Sequence, residues 1–214
     1  MTVLLFMHGW GFDASIWSGV VRHLGRFDCR MADRGYFGAP ITVESDGPCV
    51  VVGHSLGAMH WLADLPEGCR GMVAVNGFDR FVEGDDFPGV PRRPLDRMIA
   101  RLPQAPAQVV TDFRTRCGAE AVAGTPELAP LLAATAPLAD YAATDGDFRD
   151  AAGGLPVLSL QGANDPLLPD TMRGAIFAKA SVTRMTCENA GHLLPLEAPE
   201  WTANAIADFA RAVA

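Results

Sequence analysis

Short apolar runs ending near Gly, Asp or Asn recur along the chain at 2–7, 27–32, 48–53, 71–76, 156–161 and 181–186, with helix-like stretches between them. That alternation predicts a mostly parallel sheet with crossover helices. Val50-Val51-Val52, bounded by Pro48 and Gly53, is β-branched and shows no polar alternation. Such a run suits a strand buried on both faces, so 48–53 is expected at the sheet centre. Helical periodicity is clearest from Leu56 to Leu65 and from Pro199 to Val213, where Trp201, Ala205, Ile206, Phe209 and Val213 can share one face packed on the sheet.

Residues 78–152 follow a different pattern. Pro88, Pro91, Pro94, Pro103, Pro106, Pro126, Pro130 and Pro137 divide them into short helices, and no strand period survives. This predicts a helical cap at 78–152 inserted into a core made of 1–77 and 153–214. No internal repeat is present, and the Ala/Pro-rich stretch from Ala119 to Ala143 is a compositional bias that short helices absorb.

Composition narrows the class. With 214 residues, 49% hydrophobic and 20% charged, the chain reads as a soluble globular domain with room for one insertion. Seventeen Lys+Arg against 25 Asp+Glu leave a net charge of −8. General binding to nucleic acid or to an anionic membrane needs a positive field, so neither is expected. The charge reverses locally: Pro88 to Gly118 holds Arg92, Arg93, Arg97, Arg101, Arg114 and Arg116 against Asp96 and Asp112, a balance of +4. Two readings stand: a solvated face whose arginines pair within the insertion, or a basic landing surface for an acidic macromolecule. Five cysteines, an odd number without C-x-x-C spacing, suggest neither a disulfide framework nor a zinc site, but reduced and mostly buried thiols. The N-terminal apolar run breaks after seven residues and lacks a basic leader, so no signal peptide or membrane span is expected and the cytoplasm is the expected location.

Gly53-His54-Ser55-Leu56-Gly57 matches G-x-S-x-G between the strongest strand and a good helix. A serine on such a sharp turn presents its hydroxyl, and the glycines remove Cβ atoms that would clash there. A serine hydroxyl needs a base, which in turn needs a carboxylate, and chain order places the acid before the histidine. Asp165, after the strand 156–161, and His192, after 181–186, fill these positions at the carboxyl ends of the strands. Rival acids fit less well. Asp64 lies on the helix after the serine, Asp140, Asp145, Asp147 and Asp150 lie in or beside the insertion, and Asp208 follows the histidine. Among rival histidines, His54 occupies the variable motif position, and His23 and His60 read as helix-surface or core residues. His8-Gly9-Trp10-Gly11 supplies a second loop, so the backbone N–H groups of Trp10 and Leu56 are the candidate oxyanion donors.

With Asp33-Arg34-Gly35-Tyr36-Phe37-Gly38 and Gly191-His192-Leu193-Leu194-Pro195-Leu196-Glu197-Ala198-Pro199 added to these two motifs, the sequence resembles the α/β-hydrolase superfamily over nearly its whole length. The resemblance implies an α/β-hydrolase fold that starts on what is usually the third strand, so that the first two family strands are missing and about six remain. Within the superfamily the chain is most similar to the biotin-pathway carboxylesterases that demethylate pimeloyl-acyl-carrier-protein methyl ester. The carrying residues are His8-Gly9-Trp10-Gly11, Val75-Asn76-Gly77-Phe78 and Asp85-Asp86-Phe87-Pro88-Gly89-Val90 with Leu95 beyond.

The resemblance implies a serine carboxylesterase acting through an acyl-enzyme, with Ser55 as nucleophile, His192 as base and Asp165 as acid, and with no metal or organic cofactor. Trp10 and Phe113 would wall the acyl chain, and Arg92, Arg93, Arg97 and Arg101 would receive an acyl carrier protein. A small-molecule esterase, thioesterase, lactonase or carbon–carbon hydrolase would use the same triad. Dehalogenases and epoxide hydrolases of this fold carry an aspartate where Ser55 stands, and a non-catalytic binding protein would not need all three residues. Without the first two strands, 27–32 becomes a sheet edge, to be blunted by Arg26, Asp28 and Arg30 or covered by a second copy of the chain.

Overall fold

The computed structural model describes residues 2–120, 124–139 and 148–214. The apolar runs form six strands, β1 (Val3–Met7), β2 (Asp28–Ala32), β3 (Cys49–His54), β4 (Cys69–Val75), β5 (Pro156–Gly162) and β6 (Ser181–Cys187). They pair in the order β2-β1-β3-β4-β5-β6, and every pairing is parallel. The expected central run is β3, which lies between β1 and β4 and is buried along its whole length.

Nine α-helices accompany the sheet among the described residues: α1 (Ser18–His23), α2 (Leu56–Ala63), α3 (Arg92–Arg101), α4 (Pro106–Arg116), α5 (Leu128–Ala139), α6 (Phe148–Ala151), α7 (Asp170–Ala175), α8 (Leu194–Glu197) and α9 (Pro199–Ala212). Proline opens α4 and α9, where the missing N–H costs no helical hydrogen bond. Successive strand side chains point to opposite faces, which splits the core into two layers. Leu4, Phe6, Val50 and Val52 pack with Trp17, Val20 and Ile206, in the layer of α1 and α9. Leu5, Met7 and Val51 pack with Met59, Trp61 and Met172, in the layer of α2 and α7.

Between β4 and β5 the chain forms α3 to α6, and the pairings described there are two isolated bridges, Val82–Val90 and Gly84–Phe87. Leu95, Leu102, Val109, Val110 and Leu131 from this insertion join the α2 layer, so the insertion shares that core. Within the Ala/Pro-rich stretch, Leu128–Ala139 form α5, residues 119–120 and 124–127 are non-helical, and residues 121–123 and 140–143 lie outside the described residues.

The edge position expected for 27–32 is occupied by β2. Arg30 pairs with Asp28 at 2.8 Å and donates to the Glu44 carbonyl at 2.6 Å, so charge and the following segment both occupy this edge. The cysteines are free, but only Cys49 and Cys117 are fully buried. Cys29, Cys69 and Cys187 are half-buried, which corrects the expectation of mostly buried thiols. The reason is topological, since Cys29 and Cys187 lie on the edge strands β2 and β6 and Cys69 begins β4. Among the described residues no helix is long and apolar enough to cross a membrane.

Candidate active site

Ser55 stands between β3 and α2 with φ +52° and ψ −123°, a backbone conformation L-residues rarely adopt. The neighbouring glycines permit it. A Cβ on Gly53 would lie 2.5 Å from the Ala58 nitrogen, and one on Gly57 would run into the Met7 carbonyl oxygen. The Ser55 N–H donates to the Val75 carbonyl at 3.0 Å, which ties the turn to the end of β4.

Asp165 and His192 follow β5 and β6, and parallel pairing brings both to the same sheet end as Ser55. His192 Nδ1 lies 2.8 Å from Asp165 Oδ2, and the two side chains are 1% and 0% exposed. Asp165 Oδ1 accepts from the N–H groups of Leu167 at 2.8 Å and Leu168 at 3.1 Å. Burial pushes the Asp165 carboxyl pKa up, but His192 and the two amides outweigh it and hold the group below its ordinary value. An ionised Asp165 accepts at Oδ2, so Nδ1 carries a proton, and whenever the ring is neutral it is Nε2 that keeps the lone pair. Nε2 is buried and has no hydrogen-bond partner among the described residues. An unpaired buried acceptor is costly, and it marks where a substrate or nucleophile proton can be taken.

The rival acids are placed elsewhere. Asp64 is exposed after α2, Asp150 pairs with Lys179 at 2.8 Å and Asp208 pairs with Arg211 at 2.8 Å. Asp140, Asp145 and Asp147 lie outside the described residues.

Three side chains not assigned a role from sequence hold the His192 loop. Glu197 accepts from the N–H groups on either side of His192, Gly191 at 2.7 Å and Leu193 at 2.9 Å. His54 Nε2 donates to the His192 carbonyl at 2.9 Å. Burial, and next the neighbouring His192, push the His54 pKa down to about 3, so this ring is neutral at physiological pH. Asn76 also contacts the loop. Glu197 lies in the Gly191–Pro199 motif, Asn76 in Val75–Phe78 and His54 at the variable position of Gly53–Gly57, but motif membership alone says nothing of whom they contact.

Trp10, Leu56 and Phe113 line a cavity of about 90 Å³ together with Ser55. The Trp10 indole N–H donates to the Leu131 carbonyl at 3.1 Å, and its ring meets Phe113 edge-on at 5.0 Å. Phe78, Leu95 and Met98 make the remaining wall apolar, and Arg116 supplies a charge. A shallower groove alongside shares Pro94, Met98, Phe113 and Arg116 with the cavity and adds Arg97 and Arg101. Arg92 pairs with Asp96 at 3.3 Å and Arg101 with Asp112 at 3.4 Å, both on the surface. Arg93 and Arg97 lie on the same helix, α3. The two aspartates of this stretch are thereby paired, which leaves the surface basic. Among the described residues, no cluster of His, Cys, Asp and Glu is placed to hold a metal ion.

The chain belongs to the alpha/beta hydrolase family, whose model matches residues 4–205. It is similar to the biotin biosynthesis bifunctional protein BioHC of Cellvibrio japonicus (strain Ueda107), with 30% identity over 131 residues, 51% of this chain and 26% of that one. It is also similar to the pimeloyl-[acyl-carrier protein] methyl ester esterase of Wigglesworthia glossinidia brevipalpis, 26% identical over 117 residues, 46% of this chain and 45% of that one. The matched stretch therefore spans less than half the length of either relative. A thermophilic esterase from Thermogutta terrifontis shares the fold, with a TM-score of 0.74 at 18% identity, covering 100% of this chain and 90% of that one.

Proposed function

We propose that the protein is a serine carboxylesterase that works through an acyl-enzyme. Ser55 Oγ attacks the ester carbonyl while His192 Nε2 takes its proton, and collapse of the tetrahedral adduct returns that proton to the departing alcohol. Water then attacks the acyl-Ser55 carbonyl with His192 again as base, releasing the acid and the free serine. Asp165 holds the imidazole tautomer and stabilises the cation formed in each half-reaction. The N–H groups of Trp10 and Leu56 receive the oxyanion, the latter at the positive end of α2.

The observation that carries this reading is the buried His192–Asp165 pair with a free Nε2, at the sheet end where Ser55 lines a cavity. A fluorophosphonate probe tests it, because phosphonylation needs an activated serine. Wild-type protein is expected to label at Ser55 and Ser55→Ala to stay unlabelled; equal labelling of the two would overturn the assignment.

For the substrate, the reading is a methyl ester on an acyl chain borne by acyl carrier protein. The names of the two relatives support it, one stating this ester and the other biotin biosynthesis. In this reading 78–152 acts as the cap. Trp10 and Phe113 wall the chain beneath it, and Arg92, Arg93, Arg97 and Arg101 of α3 face an acidic carrier.

A further inference from the structure

Asn76 follows β4, is 1% exposed and has φ +44°, in the left-handed region that asparagine and glycine tolerate. Its main-chain N–H donates to the Leu160 carbonyl of β5 at 2.8 Å. Its side chain makes three more bonds. Oδ1 accepts from Gly162 N–H at 2.8 Å, and Nδ2 donates to the carbonyls of Gly191 and His192, each at 2.9 Å. The partners dictate the orientation of the carboxamide, since an N–H must meet its oxygen and two carbonyls must meet its nitrogen. Both hydrogens of Nδ2 are used, so this buried polar group is satisfied on its donor side.

We infer that Asn76 is a positioning residue, which holds His192 and the end of β5 at the separation that the hydrogen bond between Asp165 and His192 requires. The inference rests on the reading of Ser55, Asp165 and His192 given above. Gly162 is the last residue of β5, and its carbonyl accepts from Asp165 N–H at 3.3 Å across a tight turn. One carboxamide therefore grips the strand end that leads into the acid and the two carbonyls that bracket the base. His54 and Glu197 grip the His192 loop alone; Asn76 bridges that loop to β5. Asparagine suits the task because its backbone accepts the positive φ and its side chain offers one acceptor and two donors in one plane.

A merely structural asparagine would, when lost, lower stability and the fraction of folded enzyme, but not the turnover of each folded site. A positioning residue lowers that turnover, because displacing a catalytic group by about 1 Å costs on the order of 100-fold. Asn76→Gly keeps the backbone conformation and removes the carboxamide. Asn76→Asp keeps the volume and the acceptor for Gly162, loses at least one donor, and serves if the glycine variant does not fold. Sites are counted by end-point fluorophosphonate labelling, and kcat per labelled site, KM and the labelling rate constant are measured on a small chromogenic ester and the probe.

Either variant is expected to lose roughly 10- to 100-fold in kcat per site and in labelling rate, with KM within about twofold. A fall in melting temperature with kcat per site and labelling rate within about twofold of wild type would overturn the inference. If wild-type Ser55 does not label at all, the underlying reading of the triad fails instead, and this assignment with it.

Discussion

The side chains of Asp165 and His192 are 0% and 1% exposed, whereas those of Arg92 and Arg101 of the insertion are 51% and 56% exposed and their aspartate partners' about as much. The two regions use charge for different ends. At the carboxyl end of the strands the Asp165 and His192 side chains are buried, where solvent and salt screen their interaction little and a small displacement matters. On the insertion, ion pairs face water, contribute at most about 1 kcal/mol each, and are free to rearrange around a partner. In the proposed function the buried region makes and breaks bonds and the exposed one meets the carrier, so variants in the two should differ in which substrates they affect and in how salt modulates the loss.

The largest effect belongs to the buried region. Ser55→Ala or His192→Ala should lower kcat by about 10⁶-fold on every ester, with an unchanged melting temperature to within a few degrees. Activity lost on one ester but kept on another would break the comparison. Asp165→Asn comes next, at about 10⁴-fold, because the amide no longer selects the tautomer with Nδ1 protonated. Single-turnover kinetics would place that loss in acylation, and a loss confined to KM would contradict it.

Acid should probe the same region through stability. His54 has its folded pKa near 3 against an ordinary 6.5, so between those values the unfolded chain binds a proton that the folded one refuses. Stability from this group is present above pH 6.5 and falls as pH drops towards 3, by at most about 1.4 kcal/mol per pH unit. Urea midpoints at pH 7 and pH 5 measure the slope, and His54→Gln should flatten it; an unchanged slope would mean that His54 ionises freely in the folded protein.

The smallest effect is the one on the insertion. Reversing charge at Arg92, Arg93, Arg97 and Arg101 should lower kcat/KM for a carrier-bound ester by about tenfold at low ionic strength, with the loss shrinking as salt is added. A small chromogenic ester should be hydrolysed almost as before. Equal losses on both substrates would point to damage to the insertion, and no loss on either would remove the arginine surface from the proposal.

The sequence by itself determined the six strands, the centre and edge of the sheet, the serine turn and the short list of acids and bases. These are written in local terms: a β-branched run, a glycine on either side of a serine, an aspartate or histidine placed just after an apolar run. Position and chain order already favour Asp165 among the acids; only the tertiary structure shows the contact itself, with Asp165 2.8 Å from His192 while Asp64 is exposed and Asp150 and Asp208 pair elsewhere. It also revealed the frame around His192, where Asn76 reaches across 86, 115 and 116 positions and His54 across 138. No period or short motif encodes such bonds. They arise because parallel strands joined by crossovers deliver chain segments far apart in sequence to one end of the sheet, where a buried carboxamide or imidazole must find whichever backbone groups that packing places beside it.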